Sequence, residues 1–105
     1  MLNANLLQRL TSYFETQPID KAWIFGSYAR GEESSESDMD FIVHFQPNAN
    51  ISLFKYVRIV KELESITGQS IDLVEDGHLK PFAEESAQRE KILIYDGKDK
   101  RQGEA

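Results

Sequence analysis

The stretch Asp38–Phe45 (DMDFIVHF) alternates with a period of two. Met39, Phe41, Val43 and Phe45 fall on one side, and Asp38, Asp40, Ile42 and His44 fall on the other. Such a pattern predicts a β-strand with one apolar face, and so commits the chain to a sheet. Two more short runs join it: Lys21–Phe25 (KAWIF), aromatic and β-branched, and Ser70–Glu75 (SIDLVE). Between and around them the apolar residues change to helical spacing. Leu6, Leu7, Leu10, Tyr13 and Phe14 predict an amphipathic helix over residues 3–16, which Pro18 and Asp20 end. Residues 28–32 read as a short helical turn beginning at the Gly26-Ser27 step, residues 33–37 as a serine-rich loop, and Pro47–Asn50 as a turn. Ser52 is placed to cap a longer helix that runs to Thr67 and stops at Gly68, with Leu53, Tyr56, Val57, Val60 and Leu63 on its inner face. Asp76 and Gly77 turn the chain, and Pro81 suits the first turn of a helix reaching Glu90. Lys91–Tyr95 (KILIY) fits a final strand better than a helix extension. Trp23 and Phe25 are expected in the core. The order α-β-(short α)-β-α-β-α-β predicts an α/β (α+β) domain, a small mixed sheet flanked by helices.

With 105 residues and 40% hydrophobic content, the chain has material for one core. Residues 1–97 are expected to form a single domain, and 98–105 a polar, frayed tail. The formal net charge is −6, from 18 acids and 12 bases, which lacks the basic footprint of a general nucleic-acid binder. There is no cysteine, so disulfides, thiolate catalysis and zinc–thiolate sites are excluded. The opening MLNANLLQRL lacks the pattern of a secretory signal, and no stretch has the apolar length of a membrane span, so a cytoplasmic protein is expected.

The chemistry concentrates in Gly26–Asp40 (GSYARGEESSESDMD). Strand residues two apart share a face and lie about 6.6 Å apart along the backbone. Carboxylates placed like Asp38 and Asp40 can converge on one Mg²⁺ or share two ions roughly 3.5–4 Å apart. Glu32, Glu33, Glu36, Asp38 and Asp40 crowd into nine residues without a base, a density that a divalent ion relieves. A solvated acidic strand start is the alternative. Gly26 at a strand-to-helix corner lets the backbone approach a ligand, and the N–H groups of the following turn, with the Ser27 hydroxyl, can face phosphate. Arg30 can meet a phosphate or pair with a nearby glutamate. Asp72 interrupts an apolar strand, and a buried carboxylate there is costly unless paired or metal-bound. A water-facing position on an edge strand is the other reading.

Taken together, Gly-Ser, ten residues, Asp-x-Asp, and then a strand aspartate after a helix resemble the DNA polymerase β-like nucleotidyltransferase superfamily. Within it the chain is similar to the minimal nucleotidyltransferase branch, the MntA-like antitoxins, from its first helix to KILIY. The resemblance implies that Asp38, Asp40 and Asp72 bind two Mg²⁺ ions and carry catalysis. It further implies that Gly26, Ser27 and Arg30 bind the nucleotide, with ATP as donor. The implied function is that of an antitoxin of a type VII toxin–antitoxin pair. It would AMPylate a tyrosine of a HEPN-domain RNase toxin and form a hetero-oligomer with it. A non-catalytic antitoxin that acts by binding, or a transferase for a small molecule or an RNA end, are the competing functions. His44 and His78 read as strand-end and turn residues. Lys55, Arg58 and Lys61 form a basic helical stripe, solvated or facing an acidic partner or RNA; Lys98, Lys100 and Arg101 are tail charges.

Overall fold

The computed structural model describes residues 3–32, 38–76 and 88–97. Helix α1 (Ala4–Glu15) starts where the Asn3 side chain accepts a hydrogen bond from the Leu6 N–H at 2.7 Å. Strand β1 (Ile19–Phe25) follows, then the one-turn helix α2 (Ser27–Arg30), strand β2 (Met39–Phe45) and helix α3 (Leu53–Thr67). In α3 the Ser52 hydroxyl accepts from the Lys55 N–H at 3.1 Å, and Gly68 closes the other end. Strands β3 (Ile71–Glu75) and β4 (Ile92–Asp96) complete the fold. The helix expected from Pro81 lies mostly outside the described residues; residues 88–90 are helical. Residues 33–37, His78 and the tail from residue 98 also lie outside them.

The sheet order is β3-β2-β1-β4. β1 pairs antiparallel with both β2 and β4, whereas β2 and β3 are parallel, joined by the crossover through α3. α1 and α3 cover one face. Leu10 and Phe14 from α1 and Ile59 and Leu63 from α3 pack on Ala22, Ile24, Met39, Phe41, Val43 and Leu73. Among the described residues no helix is long and apolar enough to cross a membrane.

Three expectations are corrected. β1 begins at Ile19, two residues early, because a register shift at Asp20 lets Ile19 reach the core while Ala22 and Ile24 keep alternation beyond it. Trp23 and Phe25 do not join the helix-covered core. They alternate with Ala22 and Ile24, so they point to the second face, where the Lys91 Nζ lies 4.1 Å from the Trp23 ring centre. Ile42, on that same side, is fully buried, so the second face is covered as well. On α3, Leu53 and Val57 turn outward, and Ile59 and Ile66 take inner positions beside Tyr56, Val60 and Leu63. Of the two readings of Asp72, the water-facing position holds: it lies exposed on the edge strand β3.

Candidate active site

The site lies where β1 ends and β2 and β3 begin. Parallel pairing puts Asp40 directly opposite Asp72, and paired residues share a sheet face. On the other side of β2, Phe25 is the partner of Asp40, so Gly26 follows next to that carboxylate. Asp38 stands two residues before Asp40, exposed at the mouth of β2. The crossover α3 is what makes the strands parallel and brings Asp72 to the same end of the sheet. The Tyr56 hydroxyl on α3 donates to the Leu73 carbonyl and ties the helix to β3 one residue from Asp72. The spacing of α3 marks Tyr56 only as an inner-face residue; its place one turn before the buried Ile59 is the signal available for this contact.

Asp40 is half-buried, and its carboxyl is pushed up to about 6. Burial is the largest cause, followed by the negative charges of Asp72 and Asp38, with Arg30 opposing. The Tyr56 phenol is also raised, by burial first and then by Asp72 and Glu75. The three aspartates thus share one electrostatic neighbourhood with a local excess of negative charge. Among the described residues no three His, Asp or Glu side chains already stand as a closed ion cage. The donor set nonetheless fits Mg²⁺, which takes hard oxygens and is commonly held by one or two carboxylates plus substrate phosphates.

Gly26 has φ +74° and ψ −149°. A Cβ built there would collide with the Asp40 Oδ2 and come within 3.2 Å of its Cγ. The glycine therefore leaves room for the carboxylate, a reason for glycine that no local pattern reveals. Ser27 opens α2 and is half-buried. The first N–H groups of a helix lack partners within it, so this corner presents donors close to the carboxylates. Arg30 is held by Glu32 at 2.6 Å and Glu90 at 3.0 Å, the ion-pair alternative for this residue. Glu90, 60 residues away in sequence, was not anticipated. His44 lies toward the far end of β2, its Nδ1 3.7 Å from the Asp20 Oδ2, away from the aspartates.

The family described as polymerase beta, nucleotidyltransferase, matches residues 8–100. The chain belongs to that family. It is accordingly a nucleotidyltransferase with the polymerase β-like fold. The Methanocaldococcus jannaschii protein MJ1379 is 36% identical over 72 residues, covering 68% of this chain and 72% of that one. The protein adenylyltransferase MntA of Thermococcus cleftensis is 35% identical over 71 residues, 68% of this chain and 70% of its own. A solved complex of a tri-AMPylated Shewanella oneidensis HEPN toxin with an MNT antitoxin shares the fold: the TM-score is 0.66 at 12% identity, over 93% of this chain and 76% of that one.

Proposed function

We propose that this nucleotidyltransferase is a Mg²⁺-dependent protein adenylyltransferase. It would move AMP from ATP onto a tyrosine of a HEPN-domain RNase and act in the cytoplasm as the antitoxin of a type VII pair. The observation that carries the reading is the in-register pairing of Asp40 with Asp72 beside Gly26. The relatives' protein-adenylyltransferase activity and the toxin–antitoxin context of the shared fold supply the substrate class.

In this mechanism Asp38, Asp40 and Asp72 would hold the metal. Bound there, Mg²⁺ supplies charge neutralisation at the phosphates and acidifies the attacking hydroxyl. Gly26 and Ser27 cradle the outer phosphates with backbone N–H groups and the hydroxyl. Asp72, exposed beside Asp40, would accept the tyrosine proton and leave the phenolate oxygen to attack the α-phosphorus. One P–O bond forms to the tyrosine, the bond to the β-phosphate oxygen breaks, and pyrophosphate leaves. Arg30, now paired with Glu32 and Glu90, exchanges one carboxylate for a phosphate when nucleotide enters. The rate enhancement comes mainly from positioning and preorganised charge.

The test is intact-mass spectrometry of a HEPN-domain RNase from the same source, after incubation with the chain, ATP and Mg²⁺. An Asp38→Ala/Asp40→Ala variant runs in parallel. Mass added in whole AMP units, absent with the variant, is expected. No added mass while a stable complex forms would replace this reading with antitoxicity by binding.

A further inference from the structure

The two most exposed large apolar side chains among the described residues, Phe54 and Leu53, sit together on α3 with Val57 beside them; Ile92 and Leu93 on β4 are exposed as well. Phe54 is 87% exposed, Leu53 75% and Val57 42%. They are not a frayed end, because Ser52 caps the helix and the Tyr56 N–H donates to the Ser52 carbonyl at 3.0 Å. At 100° per residue, Phe54, Arg58 and Lys61 form one stripe and Leu53 and Val57 the next, opposite the buried Ile59 and Leu63. No ion pair to Lys55, Arg58 or Lys61 occurs among the described residues. In a chain of net charge −6, one helix face therefore combines apolar anchors with the exposed bases Arg58 and Lys61, Glu62 and Glu64 lying at its edges.

We propose that the solvent face of α3, with Leu53, Phe54 and Val57 as anchors and Arg58 and Lys61 beside them, is the docking surface for the acceptor protein. Its occupant is an apolar patch rimmed by aspartate and glutamate. The inference rests on the protein-acceptor reading above and adds where that acceptor is held. A second copy of this chain fits poorly, because a two-fold contact through this face would bring the same bases together. RNA fits poorly as well: stacking platforms need several aromatics along a basic groove, and here one phenylalanine stands among aliphatic residues. The face lies on the side of α3 turned away from the sheet, so a partner bound there leaves Asp40 and Asp72 open. The molecule measures 38 × 33 × 27 Å, a span that a folded acceptor can bridge and a small molecule cannot.

The experiment compares wild-type chain with Phe54→Ser, Lys61→Glu and the double variant, using the same HEPN-domain protein as acceptor. AMP transfer is followed against acceptor concentration and, separately, against ATP. The side chains are solvent-facing, so folding should persist, and circular dichroism checks it. The double variant is expected to raise the KM for the HEPN protein about tenfold or more, as loss of an interface anchor does, with kcat and the KM for ATP unchanged. If wild type transfers AMP and the variants match it, the docking surface is wrong while the function stands. A fall in kcat without a change in KM also overturns it. So does a wild-type dimer in sedimentation that Phe54→Ser dissociates. If wild type transfers nothing to the HEPN protein, both the function and this inference fall.

Discussion

Gly26 carries two constraints that can be separated by substitution. Its backbone conformation is one that L-residues adopt at a cost of roughly 1–3 kcal/mol, and its missing side chain is where the Asp40 carboxylate lies. Gly31 shares a positive φ of 72° but meets nothing within 4 Å. Gly31→Ala should therefore cost stability alone, about 1 kcal/mol in urea unfolding, with AMP transfer retained. Gly26→Ala should cost stability and also lower transfer roughly 100-fold, because the carboxylate must move. Equal activity in the two variants would remove the steric role assigned to Gly26. Asp40 itself gives a prediction of unusual sign. Its carboxyl is raised from 3.8 to about 6 on folding, so between these values the native state binds more protons than the unfolded chain. This group's stabilisation is therefore present below pH 3.8 and is lost as pH rises through about 6. Asp40→Asn should make the metal-free protein more stable at pH 7.5 by about 1 kcal/mol, the shift discounted because half the side chain meets water, and should abolish transfer. Urea midpoints at pH 4 and 7.5 test it; a variant destabilised at pH 7.5 contradicts it.

At the level of elements, local signals and long-range packing separate cleanly. The Ser52 cap, the Gly68 stop and the period-two alternation of Met39, Phe41 and Val43 depend on neighbours within a turn or a strand, so the order of elements could be read directly. The inner face of α3 could not. Its sequence offers apolar residues at 53, 54, 56, 57, 59, 60, 63 and 66, wide enough for two stripes. The contacts with α1 and β3 choose the one centred on Ile59 and Leu63. The same holds for Trp23 and Phe25: a strand covered on both faces does not announce which side meets the helices. Of the site, Gly-Ser and Asp-x-Asp were local motifs, whereas the opposition of Asp40 and Asp72 needed the register of two strands joined by α3. The choice of stripe is measurable. Leu63→Ala should cost about 3 kcal/mol, as core leucines do, and Leu53→Ser should stay within about 0.5 kcal/mol. Tyr56→Phe, which removes the hydrogen bond to the Leu73 carbonyl, should cost about 1 kcal/mol. Comparable losses at Leu53 and Leu63 would mean that the helix is rotated.

For the whole molecule, the excess of acids over bases is not spread evenly. Arg58 and Lys61 of α3 face away from the sheet, while Asp38, Asp40 and Asp72 raise the negative potential at one end of it, with Arg30 alone seen to oppose them at Asp40. A ligand that neutralises this end binds the folded state and not the unfolded chain, so it must stabilise the fold by mass action. Mg²⁺ together with a non-hydrolysable ATP analogue, at about 100 times its dissociation constant, should add about 2.7 kcal/mol. For a domain of this size that raises Tm by at least several degrees. Sodium chloride at matched ionic strength only screens the charges, and should give a much smaller rise. The response should vanish in Asp40→Asn/Asp72→Asn, because the paired strand carboxylates, rather than the acidic surface at large, create the site. Differential scanning fluorimetry with and without EDTA decides the matter. An undiminished rise in that double variant would place the cation elsewhere on the acidic surface, and the carboxylate pair would lose its metal-binding role.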